Sequence, residues 1–579
     1  MDEDRRRVEV LLRDLEGAIE GIDRRLTAVE RSVAAIAVLR ELPDLPAPPV
    51  LPAPAAPPVL FPADLVALLS FVGRTFVALG GAYLLRALTD ATIVPVAQGS
   101  ALGLIYALGW LVMSDRAAIA NRRTSAAFHG LVAALIAFPL IWESVTRFQL
   151  LAPGAAAAAA LALTTALMLA AALRQRSQIL AWIAVAASLG TALALVAATR
   201  VVLPFAAVTI ALGIATLWIG YSADWVLLRW PVALVADLMV VALTARVASG
   251  SWPDPPAQVI ALQLLLLTGH LASVAARTLL RGRDVNAFEV VQTAAALAVG
   301  FGGAVYVATA TGSGAVALAG MNLLVGAGCY AVAFAFLGRH QNLRRNFYFY
   351  TSLALMLVLV STALLLTRAP LALAWSAIAV AASWLALRTG RITLTSHAAV
   401  YVLAAASASG LLSAAAAALA GPAGARWPPM SPLAFVVLAA LAACLVIPPP
   451  LAAGMSTADH MPRLAITIAF AWSAAASLVG PLAAALPGAI DAGVLATIRT
   501  SVLAAAALVL AWAGRHERFR ESGWLLYPVL AAGGLKLLVE DLPRSRPATL
   551  FIALALYGGA LILAPRLTAA RSRTASPPR

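Results

Sequence analysis

Two groups of ionisable side chains stand inside or at the edges of otherwise apolar stretches of this chain. Arg74, Asp237 and His270 make the first; Arg86, Asp90, Glu143, Arg147, Lys536, Glu540 and Asp541 make the second. A charge at the centre of a hydrocarbon layer costs about 3 kcal/mol or more, so each such residue needs a partner, a water-lined cavity or a function. Counted at about 1.5 Å per residue from the ends of their apolar runs, Arg74, Asp237 and His270 fall roughly 12 to 14 Å from one membrane edge. An arginine and an aspartate at one depth beside a histidine could bind an anionic group or relay a proton. The alternative is a satisfied ion pair, or charges at unrelated places around the bundle. In the second group Arg86 and Asp90, Glu143 and Arg147, and Lys536 and Glu540 are each four residues apart, so each pair can meet on one helix face. Lys536, the sole lysine, could line an outward cavity for a headgroup or anion, or snorkel to the interface. Asp90, Glu143 and Asp541 are the residues that could serve as an outward-facing base.

Motifs of soluble enzymes are absent. The histidines at 129, 270, 340, 397, 460 and 516 form no HExxH pair and no ligand spacing with cysteine, so no metal site is expected. There is no GxxxxGK[ST] loop and no GxSxG elbow, which removes ATP-driven transport by this chain alone and leaves neither a cofactor nor a catalytic residue to name. Cys329 and Cys444 both lie in apolar runs and read as small buried residues.

The elements that must position the charges are membrane helices. Mean hydropathy is +0.91, with 62% hydrophobic and 12% charged residues over 579 positions, a composition that excludes an ordinary soluble domain. Apolar segments of about twenty residues follow one another from 65 to 565, each long enough to cross a hydrocarbon core about 30 Å thick. About eighteen are expected, the first at 65–88 and the last at 547–565. Helices are required because no other open element satisfies its backbone in lipid. The net charge of +15 does not point to nucleic acid, because the arginines occupy short connections between apolar runs. Twenty-two of them fall on alternate connections and the C-terminal tail, against seven on the opposite set. By the positive-inside rule both termini are then cytoplasmic and the number of crossings even.

Before the first apolar run, Val8, Leu12, Leu15, Ile19, Ile22, Leu26, Val29, Val33 and Ile36 alternate in steps of four and three. That is a coiled-coil heptad over residues 3–40, suited to a homo-oligomer or a partner coil, the alternative being an amphipathic helix folded back on the membrane. Nine prolines between 43 and 62 make a polyproline spacer. The chain therefore divides into a cytoplasmic coiled coil (1–42), a proline-rich linker (43–64), a multi-pass transmembrane domain (65–565) and a basic cytoplasmic tail (566–579). Its opening residues lack the apolar run of a cleavable secretory signal. Small-residue pairs such as Gly99-x-x-x-Gly103, Gly80-Gly81 and Gly300-Phe-Gly302-Gly303 suit close helix packing. Pro139, Pro204, Pro231 and Pro528 fall inside apolar runs, where they can kink or break a helix.

Two passages resemble the predicted bacterial membrane proteins grouped as domain of unknown function 2339 (DUF2339). FVGRTFVALGGAYLLRALTD at 71 to 90 is similar to that family's first membrane helix, with its Gly-Arg opening, glycine-centred middle and basic residue before the end. LAAGGLKLLVEDLPRSRPATLFIALALYGGALIL at 530 to 563 is similar to its Lys-x-x-x-x-Asp helix and final glycine-bearing span, with Lys536 and Asp541 at the matching positions. The resemblance implies an all-α, polytopic protein of the bacterial inner membrane and no established activity. Three functional expectations stand together. The first is transport or translocation of a small anionic or amphiphilic envelope solute. The second is a non-transporting scaffold of the cell envelope, and the third a membrane-embedded transferase.

Overall fold

The computed structural model describes residues 27, 63–250, 254–312, 314–336, 344–421, 430–450, 455–486 and 491–574. All the described elements are helical. The coil at 3–40, residue 27 apart, the linker up to 62 and residues 575–579 of the tail lie outside that set, as does the side chain of Arg74. The chain divides into two compact units, Met1–Val77 and Ala78–Arg579, and every site below belongs to the second.

Sequence order sets the helices: α1 Ala63–Asp90, α2 Val96–Ile119, α3 Arg123–Thr146, α4 Ala155–Gln175, α5 Gln178–Thr199, α6 Leu203–Ser222 and α7 Arg229–Ala248. There follow α8 Pro256–Leu280, α9 Ala287–Ala310, α10 Ala315–Ala335, α11 Arg344–Leu365 and α12 Arg368–Thr389. The last seven are α13 Ile392–Ala408, α14 Leu411–Ala420, α15 Pro432–Val446, α16 Thr457–Ala485, α17 Ala492–Ala513, α18 Glu517–Arg544 and α19 Pro547–Thr574. Among the described residues fifteen are long and apolar enough to cross a membrane, or sixteen if the bent pair α13–α14 is one span. The molecule is a multi-pass helical membrane protein. Three elements separate this count from the eighteen expected. The segment at 394–419 is broken by 65° at Ser409–Gly410, where Gly410 takes φ +77°, a left-handed conformation that suits glycine. α15 has only fifteen residues, short of the roughly twenty a span needs. α1 is the third; its side chains before position 80 are largely outside the described set.

Local signals explain most ends. Ser177, Ser431 and Asp491 cap α5, α15 and α17 by accepting the N–H three residues on, satisfying one of each helix's orphan donors. Asn286 and Glu289 close a reciprocal capping box on α9. Packing is largely sequential: one apolar cluster joins α3 to α7, a second α5 to α9, a third α11 to α13 with α15 and α16, and smaller ones tie α14, α16 and α17, then α17, α18 and α19. Small residues bring backbones close. A Cβ added to Gly103 would lie 2.7 Å from Leu140, and one on Gly81 2.8 Å from the Tyr106 hydroxyl. A Cβ on Gly80 would meet no described neighbour within 4 Å.

Among the described residues four π-helical turns interrupt the α-helices: Ala276–Leu280 in α8, Leu297–Phe301 in α9, Val332–Phe336 at the end of α10 and Leu537–Asp541 in α18. Such turns bond i to i+5 and often mark functional positions. The first bears Arg277, the second walls a groove, and the fourth carries Glu540 and Asp541.

Candidate functional site

The end of α1, the start of α2 and the end of α3 enclose a pocket of about 300 Å³. Arg86 and Glu143 stand at it and pair at 2.8 Å across helices, the arginine about one-third exposed and the glutamate mostly buried. Asp90 lies 4.0 Å from Arg86 and 3.2 Å from Arg147. The expected pairing within each helix is thus largely exchanged for pairing between α1 and α3. Two of those four-residue spacings do put the charges on facing surfaces, but the neighbouring helix offers better geometry. The Ser100 hydroxyl also lines the pocket, buried and without a hydrogen-bond partner among the described residues. Pro139, another lining residue, has no N–H, so the Leu135 carbonyl one turn back loses its helical donor. Most of the remaining wall is apolar, with Gly103, Ile136 and Leu140, beside Tyr83 and Thr89. The pocket therefore offers a partly exposed cation, a carboxylate, a spare hydroxyl and a greasy surface within one small volume.

Lys536, Glu540 and Asp541 form a different kind of centre. The Lys536 ammonium donates at 2.8 Å to the Ala496 carbonyl, to Thr500 Oγ1 and to Asp541 Oδ2, with Glu540 Oε2 at 3.4 Å. Thr500 in turn donates to Asp541 Oδ2. Arg499 binds Glu540 at 2.8 Å and donates to the carbonyls of Ala418 and Gly421 at the end of α14. A cation there complements the negative end of a helix that stops inside the bundle. Lys536 and Asp541 are five apart, which on a regular α-helix turns them to different faces. The π turn brings them together. Asp541 is fully buried, and its Oδ1 has no partner among the described residues. Asp541 is accordingly a buried counter-ion of Lys536, an environment unlike the open one that a base acting on a substrate needs. Lys536 does not snorkel either.

Asp237 and His270 do not meet. Asp237 accepts both hydrogen bonds of the Gln292 amide at 3.0 and 3.1 Å, while His270 Nε2 lies 3.1 Å from Thr293 Oγ1. Both residues therefore bond to α9 at adjacent positions, and the void beside His270 and Gln292 holds only about 20 Å³. That space is too small for a solute.

Among the described residues, five buried charges were not singled out by the sequence: Arg229, Glu289, Arg463, Arg499 and Glu521. Glu289, wholly buried, takes both oxygens to Arg277 Nη1 at 2.9 Å, a hydrogen bond from Tyr221 at 2.6 Å and the Asn286 N–H at 2.8 Å. Its signal was the Asn-x-x-Glu capping box. Arg463, counted only as a topology determinant, donates to the carbonyls of Pro449 and Arg518 and faces Glu521, which also binds His460 at 2.8 Å. Arg499 stands eight residues into an apolar helix and met the same criterion as Arg74. Among the described residues no group of acidic, histidine or cysteine side chains is arranged to hold a metal. No family model matches this sequence, and no curated protein or solved structure is significantly similar to it.

Proposed function

We propose that this protein binds and translocates a small anionic amphiphile at the Arg86–Glu143 pocket. The observation that carries the reading is the contrast between the two charge centres. Arg86 is paired but reachable at the rim of an open, mainly apolar pocket, whereas Lys536 is largely buried and surrounded by four oxygens. An incoming phosphate or carboxylate can displace Glu143 from Arg86, with Ser100 free to donate to it, while the alkyl part lies on Ile136 and Leu140. Charge-assisted hydrogen bonds of this kind supply orientation as well as affinity. In this reading the protein resides in a bacterial inner membrane with both termini cytoplasmic, and the segment 3–40 joins copies or recruits a partner coil. The likeness to DUF2339 and the arginine asymmetry of the loops support that placement.

The test uses decyl phosphate on the full chain in phosphatidylcholine nanodiscs and vesicles. Binding should raise the thermal midpoint, and Arg86→Gln should weaken it about tenfold or more, as loss of a charged hydrogen bond does. Radiolabelled decyl phosphate should enter proteoliposomes faster than protein-free vesicles. Equal entry with no thermal shift would sink the proposal. That outcome would favour the second reading, a non-transporting envelope scaffold, which the internally paired charges around Lys536 and Glu289 support.

A further inference from the structure

A second opening, independent of the Arg86 pocket, runs between α9 and α11. We infer that it is a binding groove for an anionic phospholipid, with the acyl chain lying along the helices and the phosphate on Arg345. The groove encloses about 740 Å³ and is overwhelmingly apolar. On α11 its wall begins at Arg345 and continues through Tyr348 and Met356 to Val360, a single helix face about 22 Å long at 1.5 Å per residue. That length exceeds one hydrocarbon leaflet, roughly 15 Å. On α9 the facing wall includes Leu297 and Phe301, the two ends of the π turn.

Charge decides the occupant. Arg345 is exposed and makes no ion pair or hydrogen bond among the described residues, and no acidic side chain lines the groove. Arg277, Arg463 and Arg499, by contrast, are each held by carboxylates or carbonyls. An unanswered guanidinium at the mouth of a leaflet-deep apolar trough matches one negative headgroup on a long chain. A neutral lipid leaves the arginine unanswered, and a small anion leaves the trough empty.

Native mass spectrometry of the full chain, purified with equal phosphatidylglycerol and phosphatidylcholine, reads the preference directly. Phosphatidylglycerol should be retained over phosphatidylcholine by about fivefold, the scale set by one basic residue at a membrane surface. Arg345→Gln should equalise the two, whereas Arg344→Gln, altering a neighbouring exposed arginine outside the groove lining, should keep the preference. Ala298→Trp, placed on an exposed alanine that lines the trough, should reduce retention of both lipids. An unchanged ratio in Arg345→Gln, an equal loss in Arg344→Gln, or full retention in Ala298→Trp would each overturn the assignment.

Discussion

Lys536 shows what a single side chain can and cannot reveal from its place in a sequence. Its type and its apolar surroundings marked it for attention, and the four-residue step to Glu540 is real, at 3.4 Å. The shorter contact goes to Asp541 at 2.8 Å, five residues on, because the helix there has π geometry. Removing one member of a buried pair strands the other charge, at a cost of about 3 to 5 kcal/mol. Lys536→Met should therefore destabilise the bundle by that amount, and the double change Lys536→Met with Asp541→Leu should recover most of it. Denaturant unfolding in detergent measures both; equal losses in single and double variants would show that the pair is not coupled. Glu289→Gln keeps the size of the side chain but removes its charge from Arg277, and breaking such charged hydrogen bonds costs about 2 kcal/mol. A lower thermal midpoint should follow, with the helical content retained.

Helices were the most legible elements, because a span of about twenty apolar residues is a strong signal and each one stabilises its own backbone. Interruptions were not legible. The break at Gly410 and the four π turns carry no apolar signature of their own, since the same composition serves a straight helix. They are decided by neighbours: Arg499 answers the carbonyls that α14 exposes when it ends early, and Lys536 draws Asp541 into line. Glycine shows the same dependence. A Cβ on Gly300 would lie 2.7 Å from the Gln263 carbonyl oxygen of α8, whereas one on Gly320 would meet nothing within 4 Å. Gly300→Ala should thus lower stability by about 1 to 3 kcal/mol through overpacking. Gly320→Ala should be neutral or gain up to about 1 kcal/mol from helix propensity. Thermal melts of the two variants separate a packing glycine from a tolerated one.

For the whole molecule, the arginine asymmetry makes a claim that labelling can check. With Cys329 and Cys444 replaced by Ala, a cysteine at Ala310, exposed at the end of α9, should react with an impermeant maleimide from the periplasmic side of intact cells. Protection there, with labelling only after lysis, would reverse the orientation. A peptide of residues 1–42 should sediment as an oligomer if the heptads join copies; a monomer would leave only a partner coil or a membrane-lying helix.

The sequence by itself determined that this chain crosses a membrane many times, roughly where each helix lies, and which rare charges need an account. Those follow from transfer free energy and helix rise, which act on each segment without reference to its neighbours. Only the tertiary structure decided which charges meet. Arg86 found Glu143 on another helix, Asp237 and His270 took separate partners on α9, and Arg499 joined Glu540 to the end of α14. Partner choice depends on how helices distant in sequence are rotated and offset against one another, and apolar helices of nearly uniform composition do not encode that in their spacing.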